Sequence, residues 1–96
     1  MIAFSEALEA LKRGKKVARR GWNGKGMFIY LHKGSLPADV EYAGGFEGIE
    51  FKLFEDGDCG TIPRLPSIAF KTATGSTLIG WLASQSDILA EDWIIL

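Results

Sequence analysis

The dipeptide Asn23-Gly24 is the feature that most narrows what this chain can become. Asn and Gly tolerate the positive φ that a two-residue hairpin turn demands, and this pair lies between two stretches of strand character, residues 16–22 and 27–32. A hairpin is therefore expected. With a two-residue loop Trp22 faces Lys25, Arg20 faces Met27 and Arg19 faces Phe28, which places aromatic rings and cations side by side.

The segment before the hairpin has a different period. Phe4, Ala7, Leu8 and Leu11 recur every three or four residues, the spacing of one face of a helix. Ser5 is the expected N-cap, Glu6 and Glu9 suit the positive end of the helix dipole, and Lys12 and Arg13 suit the negative end. Gly14 supplies the left-handed stop.

From residue 33 to residue 66 the chain is punctuated by Gly34, Pro37, Gly44, Gly45, Gly48, Gly57, Gly60, Pro63 and Pro66, which predicts loops around one or two short strands near residues 49–54. Asp56-Gly57-Asp58 has the opening of a calcium loop but lacks its later ligands and closing Glu, so it reads as a turn. Residues 67–72 and 77–82 read as strands joined by a hairpin. A helical turn follows over residues 84–91, capped by Ser84 or Ser86, with Ile88 and Leu89 pointing inward. Residues 92–96 form the last strand. The expected class is α+β: a short N-terminal helix on a mainly antiparallel sheet, with a helical turn before the final strand, in a single domain over residues 1–96.

Ninety-six residues with a hydrophobic share of 47% suffice for a packed but modest core, so association of subunits is an economical source of further burial. An oligomer is expected. No apolar run approaches the roughly twenty residues of a membrane-spanning helix, and residues 1–6 lack the order of a secretory signal, which predicts a cytoplasmic protein. A single cysteine, Cys59, and a single histidine, His32, do not supply the four ligands of structural zinc; no metal or cofactor is expected. The net charge of −1 conceals an asymmetry: residues 1–33 carry eight Lys or Arg against two Glu, and residues 34–96 carry three against ten acids. Such a division fits an anionic ligand on the basic part, or pairing between the two parts.

Two stretches concentrate Trp, amide and charge: residues 19–28, Arg-Arg-Gly-Trp-Asn-Gly-Lys-Gly-Met-Phe, and residues 80–93, Gly-Trp-Leu-Ala-Ser-Gln-Ser-Asp-Ile-Leu-Ala-Glu-Asp-Trp. Together with residues 10–19 they resemble the signature stretches of the second Thoeris anti-defence family of phage and prophage proteins. The resemblance covers the first third and last fifth of the chain. It implies a homo-oligomer, a homotetramer in known members, whose interfaces hold glycocyclic ADP-ribose intact. It also implies, for some members, separate sites for cyclic trinucleotides. Where many relatives have a His after the Pro that precedes the penultimate strands, this chain has Pro66-Ser67.

The residues themselves suit such a ligand. Trp22 or Trp81 can stack on a purine, a contact of roughly 1–3 kcal/mol. Arg20 and Lys25 can meet a pyrophosphate, and Asn23, Ser84, Gln85 and Asp87 can hydrogen-bond ribose or the purine edge. Phe28 completes the set. Each also has a plainer role: Trp93 belongs in the core, Trp81 is evenly balanced between core and contact, Asn23 serves the turn, Asp87 is a first-turn helix acid, and Lys15 and Lys16 form a solvated strand entrance. A hydrolase is disfavoured, because no nucleophile–base order, metal cluster or phosphate loop is present and the pair Asp87 and Glu91 at helical spacing is usually a solvated face. A nucleic-acid-binding module is disfavoured by the acidic remainder. A structural phage protein using the Trp residues only as packing is the third alternative.

Overall fold

The computed structural model describes residues 1–22, 25–37, 45–57 and 62–96. In chain order the elements are α1 (Phe4–Lys12), β1 (Val17–Arg19), β2 (Phe28–His32), β3 (Gly34–Pro37), β4 (Gly45–Phe46), β5 (Ile49–Glu50), a single 3₁₀ turn (Phe51–Leu53), β6 (Phe54–Gly57), β7 (Ser67–Lys71), β8 (Thr77–Ile79), α2 (Gln85–Leu89) and β9 (Trp93–Ile95). The fold is α+β, with a five-stranded sheet in the order β8-β7-β2-β1-β9. By contacts the chain forms two compact units, residues 1–31 with 68–96, and residues 32–67.

In the first unit α1 buries Ala7, Ala10 and Leu11 completely, and they meet Val17, Ile29 and Trp93, which are equally buried. Phe4 and Leu8 pack at the edge of this cluster, so the three- and four-residue spacing does define the inner face. Gly14 ends the helix at φ +84°, the left-handed conformation that only Gly adopts without penalty. The start differs from expectation. Ser5 lies inside the helix, and Ala3 is the N-cap without a side-chain hydrogen bond. The cause is tertiary: Ile2 and Trp93 exchange backbone hydrogen bonds of 2.9 and 3.1 Å, which fixes the chain before the first turn.

The pairing of β1 with β2 is antiparallel, but Val17 stands opposite Ile29, one residue away from the register that a two-residue loop requires. Strand β1 ends early. The Trp22 N–H returns to the Arg19 carbonyl at 3.2 Å, and the Arg20 N–H donates to the Asp92 carbonyl at 3.1 Å. This turn lengthens the connection and cancels the pairings of Trp22 with Lys25, Arg20 with Met27 and Arg19 with Phe28. The turn residues Asn23 and Gly24 lie outside the described residues. On its other edge β1 pairs antiparallel with β9, with Val17, Ala18 and Arg19 opposite Ile95, Ile94 and Trp93.

Strands β7 and β8 form the expected hairpin, with Phe70 opposite Leu78. Ser84 caps α2 through a reciprocal capping box with Asp87. The inward residues of α2 are not Ile88 and Leu89, which are 49% and 78% exposed. Asp87 and Ala90, three residues apart, face inward instead: Ala90 packs on the core and the Asp87 carbonyl accepts the Trp93 indole N–H at 2.9 Å. Ala90 is already extended, so Asp87 and Glu91 do not share a helical face.

The second unit contains more strand than its punctuation suggests. Strands β3 and β6 pair in parallel, from Gly34 opposite Phe54 to Pro37 opposite Gly57, and β4 and β5 form a short antiparallel pair. Ser35 also bridges Arg64 through backbone bonds of 2.7 and 2.9 Å. Asp56 and Gly57 thus belong to a strand rather than a turn; Asp58 and Cys59 lie outside the described residues.

Candidate functional site

Three Trp residues and a three-residue ion network meet where β1, β9 and α2 converge. Trp93 is fully buried and is the hub: Trp22 approaches it edge-on at 5.4 Å and Trp81 at 6.4 Å. Trp22 also meets Trp81 at 6.2 Å and Phe70 at 5.7 Å, again edge-on. Edge-to-face contacts of this kind add about 0.5–1.5 kcal/mol each beyond simple burial. Trp22 and Trp81 are half-buried, so each has one surface in the core and another open.

Arg19 organises the polar side of the cluster. Its Nη1 donates to Asp87 Oδ1 at 2.9 Å and its Nε to Asp92 Oδ1 at 2.9 Å, one guanidinium holding two carboxylates. The second oxygen of Asp92 accepts the Gly21 N–H at 2.9 Å. A Cβ at Gly21 would stand 2.9 Å from that same oxygen, so a side chain there forces Asp92 to move. The second oxygen of Asp87 accepts from the Ser84 N–H at 3.0 Å and the Ser84 hydroxyl at 2.9 Å.

These contacts decide the charge state. Burial pushes the Asp87 carboxyl upward, but hydrogen bonds from the Ser84 backbone, Arg19, the Ser84 hydroxyl and the Trp22 indole outweigh it and hold it below the usual carboxylate range. The hydrogen bond from Arg19 lowers Asp92 against a smaller opposing effect of burial, with help from the Gly21 N–H. Asp92 and then Asp87 raise Arg19 in return. At neutral pH the network is one cation between two anions.

Of the residues expected to touch a ligand, the structure brings Trp22, Trp81, Ser84 and Asp87 into this one cluster. Arg20, Lys25 and Gln85 are exposed, and neither cation has an ion-pair partner among the described residues. Asn23 lies outside the described residues. Phe28 is half-buried and sits apart from the Trp cluster, with the Lys16 and Lys71 ammonium groups 4.9 and 5.4 Å from its ring centroid. Hollows elsewhere in the first unit include one of about 360 Å³ lined by Ile2, Ser5, Glu6, Glu9, Arg13 and Ile95, and one of about 240 Å³ lined by Met1, Ile2 and β9. The sequence placed Arg19 opposite Phe28 rather than in an ion network, and gave Gly21 and Asp92 no role. Their signal was the opposition of a basic first third and an acidic remainder, which Arg19, Asp87 and Asp92 realise as ion pairs.

The family model described as the Thoeris anti-defense 2-like domain matches residues 2–96. The chain belongs to this family. It is 38% identical over 95 residues to Thoeris anti-defense 2 of Bacillus phage SP01, a match covering 99% of this chain and 94% of that protein. Both motifs quoted above fall within the matched residues, and so do α1 and the centre of the chain. No helix among the described residues is long and apolar enough to cross a membrane.

Proposed function

We propose that this protein is a phage anti-defence sponge, which binds glycocyclic ADP-ribose and withholds it, chemically unchanged, from Thoeris immunity in the host cytoplasm. The observation that carries the reading is the near full-length match to Thoeris anti-defense 2 of Bacillus phage SP01. The candidate ligand-binding residues remain Arg20, Trp22, Asn23, Lys25, Phe28, Trp81, Ser84, Gln85 and Asp87. Trp22 and Trp81 supply part-open indoles for the purine, and the exposed Arg20 and Lys25 supply mobile cations for the pyrophosphate. Asp87 acts through position: pinned as a carboxylate by Arg19 and Ser84 and held below the usual carboxylate range, it accepts hydrogen bonds but has neither a proton to give as a general acid nor the basicity of a good general base. This favours binding over hydrolysis.

Self-association is part of the proposal, with a homotetramer as its expected form and cyclic trinucleotides as possible second ligands at other sites. Leu78, Ile79, Leu82, Ile88 and Leu89 are between 49% and 89% exposed in one copy, and a second copy is a suitable cover for such apolar surface. The decisive experiment incubates the protein with glycocyclic ADP-ribose, removes it by filtration, then denatures it and examines both fractions by mass spectrometry. The filtrate is expected to be depleted and the denatured fraction to return the nucleotide intact. An undepleted filtrate, or recovery of a cleaved product, rejects the sponge.

A further inference from the structure

We infer that Asp92 is a positioning residue, which fixes the Trp22 indole so that the ring is already ordered when a purine arrives. The inference deepens the proposed function and rests on it for the identity of the ligand. Strand β1 ends at Arg19, whose partner across the sheet is Trp93, so Trp22 lies three residues beyond the last pair of that ladder. The three residues that precede Trp22 are each tied to Asp92. The Arg19 Nε donates to Asp92 Oδ1 at 2.9 Å, the Arg20 N–H to the Asp92 carbonyl at 3.1 Å, and the Gly21 N–H to Asp92 Oδ2 at 2.9 Å. Trp93, the residue after Asp92, receives the Trp22 ring edge-on at 5.4 Å. One dipeptide thus holds both the backbone that carries Trp22 and the ring itself.

The arrangement calls for a carboxylate. Its two oxygens accept from different directions, whereas an Asn side chain has one acceptor oxygen, so it keeps either the Arg19 or the Gly21 contact and turns an N–H toward the other. The Trp22 N–H bond to the Arg19 carbonyl, at 3.2 Å, is long and closes a local turn without reaching another strand. Edge-on contacts with Trp93, Phe70 and Trp81 let an indole slide, and the tethered backbone at Gly21 sets where the half-buried ring offers its open surface. A ring fixed in advance needs no ordering by the ligand, while a loose one must be ordered at each binding event. Asp92 uses both oxygens within the protein, so it acts through Trp22 rather than by touching the nucleotide.

The test has two parts. The chain holds three Trp, so fluorotryptophan labelling of the full chain gives three fluorine NMR lines, which W22F and W81F assign. In the free protein D92N is expected to shift or broaden the Trp22 line, and so is G21A, which displaces Asp92 Oδ2 while keeping every charge. Calorimetric titration with glycocyclic ADP-ribose then compares the unmodified chain, D92N, W22F and the double variant, with circular dichroism checking that each is folded. D92N is expected to weaken binding about two- to tenfold, as for one side chain left to be ordered by the ligand. In the W22F background the same substitution is expected to change affinity little, because both act on one contact. A purely structural role for Asp92 gives the same fold loss in both backgrounds. That result, an unaltered Trp22 line in D92N, or full affinity in D92N overturns the inference. If the unmodified chain does not take up the nucleotide, the sponge falls, and the fluorine spectra of the free protein still decide whether Asp92 fixes Trp22.

Discussion

Arg19 and Asp87 lie 68 positions apart in the chain and meet at 2.9 Å, joining the strand that follows α1 to the short helix that precedes the last strand. The same guanidinium holds Asp92, so both ends of the connection from α2 to β9 are tied to one side chain. Replacing Arg19 with Met keeps most of the stem and removes the charge. R19M is expected to lower the melting temperature, by roughly 4–8 °C for each kcal/mol lost in a chain of this size. Differential scanning calorimetry measures it, and an unchanged melting temperature shows that solvent screening has already cancelled the network.

Acid should weaken the same network. The carboxyls of Asp87 and Asp92 both titrate lower in the folded chain than in the unfolded one. Their contribution is therefore complete above the unfolded value of about 3.9 and is lost as pH falls through the folded values. Urea midpoints should show no change from these two groups between about pH 8 and pH 5, then a decline below about pH 4. In R19M that decline should be shallower, because the chief hydrogen bond lowering Asp92, and one of those lowering Asp87, have gone. An equally steep acid limb in both proteins assigns the acid sensitivity to other groups.

Gly21 tests the geometry without removing a charge. A methyl group at this position stands 2.9 Å from Asp92 Oδ2, which must shift and so strain its bonds to the Gly21 N–H and to Arg19. G21A should therefore destabilise the chain, and the loss should not add to that of D92N, since both act on the same contact. A double-mutant cycle by urea denaturation measures the coupling; additive losses mean that Asp92 moves aside without cost.

What was legible in the sequence was local. The spacing of Phe4, Ala7, Leu8 and Leu11 gave the face of α1, Gly14 its end, Ser84 the cap of α2, and Trp93 its place in the core. What was not legible depends on distant partners. The bridge from Ile2 to Trp93 sets the start of α1, and the bond from Arg20 to Asp92 shortens β1 and shifts its register against β2. The parallel pairing of Gly34 with Phe54 turns a stretch rich in Gly and Pro into strand, which local propensity opposes. For the site, the Trp motifs indicated the cluster, whereas the ion network was not legible because Arg19 and Asp87 lie 68 positions apart in the chain. Ile88 and Leu89 were assigned to the core by hydrophobicity alone, and one copy of the chain leaves them exposed.

The three Trp residues should separate into packing and binding roles. Trp93 is fully buried, and its indole N–H bonds to the Asp87 carbonyl, so W93A removes a core ring and orphans an acceptor. A loss of about 3–5 kcal/mol is expected, a large part of the stability of so small a domain. Trp22 touches the same cluster but is only half-buried, so W22F keeps an aromatic edge against Trp93 and Phe70 while shrinking the face left for a purine. Under the proposed function, W22F should stay folded and bind glycocyclic ADP-ribose more weakly, and W22A should lose about 1–3 kcal/mol of binding. Paired measurements of urea midpoint and calorimetric affinity on W22F, W22A and W93A decide the matter. If affinity follows stability alone across the three variants, all three rings are packing and the purine is held elsewhere.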